Sequence, residues 1–218
     1  MADDPLIILL MAVAGVWVFR TWLQDTREAE RGEPKEEPKP GQFPGAYWAT
    51  PKVIILAAIG AIILVGLETG GELALGISSE QTDITVLFLA AMLAAGVIEE
   101  LVFRGYLIRL NNGAVQLWVS ILGFSLVFTL LHPFLWTYEL SEEIPSWQFW
   151  KATWGLDFST KAWFTSLFIF LNSIWFYWMR IHPWNSKQSL LPCFVAHVTS
   201  NLGVFIVKAI QGHVTQLW

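Results

Sequence analysis

The chain has 218 residues, of which 55% are hydrophobic, 15% aromatic and only 14% charged. A soluble domain carries about a quarter charged residues, so this composition, with a mean hydropathy of +0.51, points to a membrane protein. The net charge of -5 comes without a basic stripe interleaved with aromatics, which excludes a nucleic-acid surface, and the single cysteine, Cys193, excludes an internal disulfide and a multi-thiolate zinc site.

Six apolar stretches approach or reach the ~20 residues that cross a bilayer: 5–23, 52–68, 84–110, 114–137, 161–181 and 189–211. Each must be helical, because no water inside the bilayer can satisfy the backbone. The expected fold is an all-α, polytopic transmembrane bundle of about six helices. We divide the chain into an N-terminal helix with its linker, 1–51, and a second unit, 52–218, whose motifs fall in 84–211.

The first stretch is preceded by Met-Ala-Asp-Asp-Pro and ends in bulky Trp17, Phe19 and Trp22. A cleaved signal needs a positive flank and a small-residue site, so a retained helix is expected. Gln24 to Thr50 holds Pro34, Pro38, Pro40 and Pro44 among alternating charges and reads as a solvated, extended linker. Glu68 and Glu72 are read as flanking a short acidic loop. The segment from Tyr138 to Thr160 carries Trp147, Trp150 and Trp154, whose indoles favour the headgroup layer. His182 and His213 are expected at interfaces, solvated. Gly96, Gly105 and Gly123 are candidate close-approach points between helices. Lys and Arg sum to ten on the linker side and three on the other, which places the linker in the cytoplasm and the termini outside.

The informative residues are polar ones inside apolar helices, where a central charge costs at least ~2.5–3.5 kcal/mol. Glu99, Glu100 and Arg104 share one stretch. Neighbours on a helix point about 100° apart, so the two carboxylates meet different partners. Glu100 and Arg104, at i and i+4, suit an intrahelical ion pair. Glu99 has no local cation and needs another partner or a proton. His132 ends the fourth stretch, and His197 and Asn201 share a face of the last.

These groups can form a hydrolytic site. Glu99 and His132 would bind and deprotonate a water. His197 and Asn201 would donate to the oxyanion, a contribution of ~2.7–4 kcal/mol per donor elsewhere. Counting 1.5 Å per residue from the cytoplasmic turns puts Glu99 about 15–20 Å deep, Asn201 about 18 Å, His197 about 12 Å and His132 about 25 Å. His132 is the outlier, and the site needs a tilt or a boundary shift of one turn there. Two carboxylates and two histidines are also compatible with zinc, although no His-Glu-x-x-His helix is present. A proton-coupled transporter uses similar residues, but the halves show no repeat. A scaffold with a vestigial site is a further alternative.

The residues Glu99-Glu100-Leu-Val-Phe-Arg104, Phe128-Thr-Leu-Leu-His132 and His197-Val-Thr-Ser-Asn201 resemble the three motifs of the CAAX-processing and bacteriocin-processing proteases, the CPBP or Abi family of glutamic intramembrane endopeptidases. All three occur in the family's order, over roughly 84–211. The resemblance implies that Glu99 and His132 activate water, that His197 and Asn201 stabilise the oxyanion, that Glu100 and Arg104 support the site and that Phe128 packs beside it. It implies no cofactor, with zinc as the alternative. The partners it implies are the lipid bilayer and a membrane-anchored protein or peptide substrate, bearing a CAAX-like tail or a C-terminal sorting signal. The small size and tryptophan-rich loop suit a prokaryotic plasma-membrane member, of the branch that acts like sortases.

Overall fold

The computed structural model describes residues 4–31, 41–141 and 143–217, with the side chains of Ser146, Trp147 and Phe149 also outside the description. Pro34, Pro38 and Pro40 of the linker, and the expectation for Trp147, therefore lie outside the described residues. Within them the chain forms α1 (Pro5–Arg31), α2 (Pro51–Leu75), α3 (Phe88–Glu100) running on as a π-helical segment (Leu101–Leu107), α4 (Ala114–Leu131), α5 (Thr160–Ile181) and α6 (Leu191–Ile210). Short strands β1 (Ile84–Thr85), β2 (Trp136–Glu139), β3 (Thr153–Leu156) and β4 (Val214–Gln216) complete it. All α-helices but α3 are long and apolar enough to cross a membrane. The expected third crossing is split between α3 and the π segment that continues it. The protein is an integral membrane helical bundle.

Helix ends follow from local chemistry. Pro51 and Pro192 open α2 and α6, where a missing N–H costs nothing. Gly76, at φ 71°, closes α2 in the left-handed conformation that glycine adopts without strain. Ser159 Oγ accepts from Ala162 N at 3.1 Å to cap α5. α4 stops at His132 because Pro133 follows, and a residue before proline is driven out of the helical region; His132 is extended, at φ -79° and ψ 143°.

Three boundaries differ from the sequence reading. α2 runs through 75 rather than 68, so Glu68 and Glu72 lie inside the helix and not beside a loop. Glu72 is buried, bonded to Gln81 Nε2 at 2.6 Å and ion-paired with Lys161 of α5; the pairing carries the helix beyond its apolar run. α1 continues to Arg31, and residues 41–50 are packed rather than solvated: Ala46 is fully buried, Phe43 N donates to Asp25 Oδ2 at 2.7 Å, and Gly45 O accepts from Leu190 N at 3.0 Å. α4 ends six residues early, and the chain enters an antiparallel hairpin of β2 and β3. His213 is not simply solvated either, since its Nδ1 meets Asp83 Oδ1 at 2.9 Å. β1 and β4 pair in parallel beside it.

α6 is the central helix, packed on α2, α3 and α5; α1 flanks α3, and α4 flanks α5. Large apolar side chains on α1, α2 and α4 stay exposed, among them Leu9, Val13, Ile62, Leu67, Val119 and Leu126, as a lipid-facing surface requires. Small residues set the tight contacts, but mostly not the expected ones. Gly123 has nothing near it and Gly96 only ordinary contacts at 3.5 Å, while a side chain on Gly105 would meet Pro44 at 2.8 Å. The closest approaches are Gly15 to Ala94, Gly60 to Trp175 and Gly71 to Phe164.

A methyl on Gly15 would sit 2.7 Å from Ala94 Cβ and 2.8 Å from its backbone, whereas Gly66 has open space. Gly15→Ala should therefore destabilise by about 1–3 kcal/mol through overpacking. Gly66→Ala should be neutral or stabilise by about 0.5–1 kcal/mol. Thermal unfolding of the two variants in detergent checks the α1–α3 contact.

Candidate active site

The site is built around a charge pair in the apolar bundle. Glu100 and Arg104 have fully buried side chains, and Arg104 Nη1 donates to Glu100 Oε1 at 3.0 Å. The pair spans the junction of α3 with the π segment. Arg104 Nη2 reaches α5, donating to Ser173 Oγ at 2.5 Å and Ser173 O at 3.1 Å. Ser173 Oγ in turn donates to Ser125 Oγ of α4 at 2.9 Å. The guanidinium carbon lies 4.5 Å from the Tyr177 ring centroid, 4.6 Å from Phe128 and 5.2 Å from Phe176, close enough for cation–π attraction in a dry site. Two carbonyls of the π segment are bonded from α5: Tyr177 Oη donates to Phe103 O at 3.0 Å and Arg180 Nε to Arg104 O at 3.1 Å.

His197 joins this network from α6. Its Nδ1 lies 2.8 Å from Glu100 Oε1, and its ring stacks on Phe176 at 4.7 Å. A carboxylate accepts, so Nδ1 carries the hydrogen and Nε2 is the free nitrogen. That Nε2 is 3.7 Å from Glu99 Oε2, too long for a direct hydrogen bond and suited to a bridging group. Glu99 is the more open carboxylate, 32% exposed against 0% for Glu100.

His132 comes to the same place by folding back. Its Nδ1 lies 2.7 Å from Phe128 O, and its ring is 4.6 Å from the Phe128 ring. The ring thus folds back from the end of α4 toward Phe128, the direction that narrows the depth mismatch left by helix counting. A carbonyl can only accept, so His132 Nδ1 donates and Nε2 is free. Glu99 and His197 are both within electrostatic reach of it. Phe128 is buried with its ring 6.0 Å from His197, between the two histidines. Asn201 stands one turn along α6 from His197, with Nδ2 donating to Met92 O of α3 at 2.7 Å. A side chain on Gly96 would begin 3.5 Å from Asn201 Nδ2 and from the His197 ring, so α3 keeps a small residue where α6 presents its polar pair.

All seven residues singled out from the sequence therefore fall in one neighbourhood, drawn from α3, the π segment, the end of α4 and α6. The sequence reading overlooked Ser125, Ser173, Phe176, Tyr177 and Arg180. Their signal was available in part, since Ser125, Ser173 and Arg180 are polar residues in apolar helices. The aromatic walls carry no such mark.

A comparison with known families matches residues 81–203 to Type II CAAX prenyl endopeptidase Rce1-like. The chain belongs to the Type II CAAX prenyl endopeptidase Rce1-like family. No curated protein and no solved structure matches it. The matched region runs from just before β1 to the middle of α6 and holds all three motifs, while α1 and α2 lie outside it. As a member of this Rce1-like family the protein is a membrane-embedded endopeptidase of the CAAX type, a hydrolase whose substrates are proteins.

Removing Arg104 would leave Glu100 buried and uncompensated, which costs about 3–5 kcal/mol when one partner of a buried pair is lost. Arg104→Ala should accumulate poorly in the membrane. Ser173→Ala removes one bond to a charged donor while Ser173 O remains, a smaller loss of about 1.5–3 kcal/mol. Both are read as folded protein recovered per cell and as melting temperature.

Proposed function

We propose that the protein hydrolyses a peptide bond of a membrane-associated protein by a glutamate-activated water, with Glu99, His132, His197 and Asn201 as the catalytic residues. The observation that carries this reading is the unequal treatment of the two adjacent glutamates. Glu100 Oε1 is held by Arg104 and His197, whereas Glu99 is partly open, with the free Nε2 of His197 3.7 Å from its carboxylate. A fully buried carboxylate locked in an ion pair is structural, although its Oε2 has no partner among the described residues; an open carboxylate beside an imidazole nitrogen is placed for chemistry.

In the reaction, a water held by Glu99 and His132 Nε2 attacks the scissile carbonyl carbon as Glu99 takes its proton. The carbonyl oxygen becomes the oxyanion. His197 Nε2 and the second amide hydrogen of Asn201 donate to it, and each such donor is worth ~2.7–4 kcal/mol in other enzymes. Donation by His197 requires a proton on Nε2 as well as Nδ1. Two carboxylates and one guanidinium around it leave room for that positive charge, which makes the buried group neutral overall. Collapse of the intermediate breaks the C–N bond, and the proton on Glu99 passes to the leaving amine. Glu100 and Arg104 act through His197 and are positioning residues.

The family name suggests a prenylated CAAX tail as the substrate. The sortase-like reading, a C-terminal sorting signal in a prokaryotic plasma membrane, stays as the second class of tail to try. The expected topology is a cytoplasmic linker with the termini outside, from the charge count.

Glu99→Gln should lower kcat by 100-fold or more, with KM and melting temperature little changed, because the amide keeps the shape but not the base. His132→Ala should do the same. Activity should persist in strong chelators; its loss, restored by zinc alone, would move the mechanism to a metal-bound water. The assay is mass spectrometry of a farnesylated CAAX peptide incubated with protein in detergent.

A further inference from the structure

Beside the site stands one feature that the hydrolytic reading does not use, the hairpin of β2 and β3. β2 begins four residues after His132, within about 14 Å of it along even a fully extended chain. Among the described residues β2 pairs with β3 alone. Asp157 N donates to Leu135 O at 2.9 Å, so 135 and 157 form a hydrogen-bonded pair. Hydrogen-bonded and non-hydrogen-bonded pairs alternate in an antiparallel ladder. In the observed register Trp136 faces Leu156 and Tyr138 faces Trp154, and these pairs are of the second kind. Their backbone groups turn away from the partner strand. The short Tyr138–Trp154 ring separation, 5.0 Å, is what such a close pair produces.

The outer edge of β2 therefore offers the N–H and C=O of Tyr138 and the C=O of Trp136, whose own N–H is already bonded to Pro133 O, with all four β2 residues exposed. Its position relative to the site is set by the helices. α4, which ends at His132, packs on α5 and the π segment. β2 follows α4 and β3 leads into α5, so the hairpin stands at the His132 end of α4. One face of the hairpin is apolar (Trp136, Tyr138, Trp154, Leu156) and the other is Thr137, Glu139, Thr153 and Gly155.

Hydrolysis needs the substrate backbone extended, so that water and oxyanion donors reach one carbonyl from opposite sides. An extended chain carries the backbone groups that an open strand edge lacks. We propose that β2 is the docking edge for the protein substrate, whose chain beside the scissile bond adds as a third strand along Trp136–Glu139. This rests on the hydrolytic reading of the site. Main-chain pairing binds without dictating sequence, and the apolar face favours apolar substrate side chains at alternate positions.

Tyr138→Pro removes an outward N–H and spares the ladder, a change that edge strands tolerate. Tyr138→Ala removes the ring and keeps the N–H, so the difference between the two isolates the backbone donor. With full-length protein and a farnesylated CAAX peptide, Tyr138→Pro should raise KM three- to ten-fold above Tyr138→Ala, the worth of one hydrogen bond, at equal kcat. Equal KM values overturn the proposal, and are the result if the hairpin only anchors in lipid headgroups. On the substrate side, N-methylation scanned along the peptide should weaken KM at every second residue, with no enzyme variant involved; a flat scan also overturns it. The same comparisons in a Glu99→Gln background, read as peptide anisotropy, separate the two ideas. Binding with the proline effect but no turnover by the parent protein fails the hydrolytic mechanism and keeps the docking edge. Turnover without the effect does the reverse.

Discussion

One oxygen atom organises this structure: Glu100 Oε1, which accepts from Arg104 at 3.0 Å and meets His197 at 2.8 Å. Inside an apolar bundle an ion has no water to fall back on, and its cost is met only by geometry that satisfies the charge. The surrounding choices follow from that constraint. Ser173 and Ser125 extend the hydrogen bonding into α5 and α4, and four aromatic rings surround the guanidinium. Tyr177 and Arg180 bond carbonyls of the π segment that carries Arg104. The helices that bring these groups are thereby registered against one another at the depth where Glu99 lies.

The same constraint separates stability from reactivity. Glu99 and Glu100 are chemically identical neighbours with opposite surroundings. Helix geometry turns Glu100 into the packed interior and leaves Glu99 partly exposed. The histidines divide similarly, each with Nδ1 committed, to a carboxylate for His197 and to a carbonyl for His132, and each with Nε2 left over. Fixing one nitrogen orients the ring and selects what the other can do. A second polar cluster, Glu72 with Lys161 and Gln81, uses the same pairing to tie α2 to α5, outside the motif set.

Much of this was legible in the sequence because charge in an apolar run has few explanations. The Glu100–Arg104 pair follows from i, i+4 spacing, and the shared face of His197 and Asn201 from the same rule. The bundle follows from segment length. What the sequence hid depends on contacts between segments. The link from Glu100 to His197 crosses 97 residues and has no local signature. The π segment reads as ordinary helix. His132 looked too far from the cytoplasmic side because helix counting places backbones, while its ring folds back over Phe128. α2 was cut short at Glu68 because the compensating Lys161 lies 89 residues beyond Glu72. The packing of 41–50 was masked by its prolines and charges, although Ala46 is fully buried. The small residues at the tightest helix contacts, Gly15, Gly60 and Gly71, lie in helices without motifs and drew no notice.

The central claim is that adjacent glutamates carry different burdens, and thermal unfolding of Glu99→Gln beside Glu100→Gln in one detergent tests it most directly. The account predicts that Glu100→Gln, which breaks a buried network, melts lower by at least ~6 °C, the shift expected for about 3 kcal/mol in a chain of this size. Glu99→Gln should melt at or above the temperature of the parent protein. Equal losses in the two variants, or a larger loss for Glu99→Gln, would contradict it.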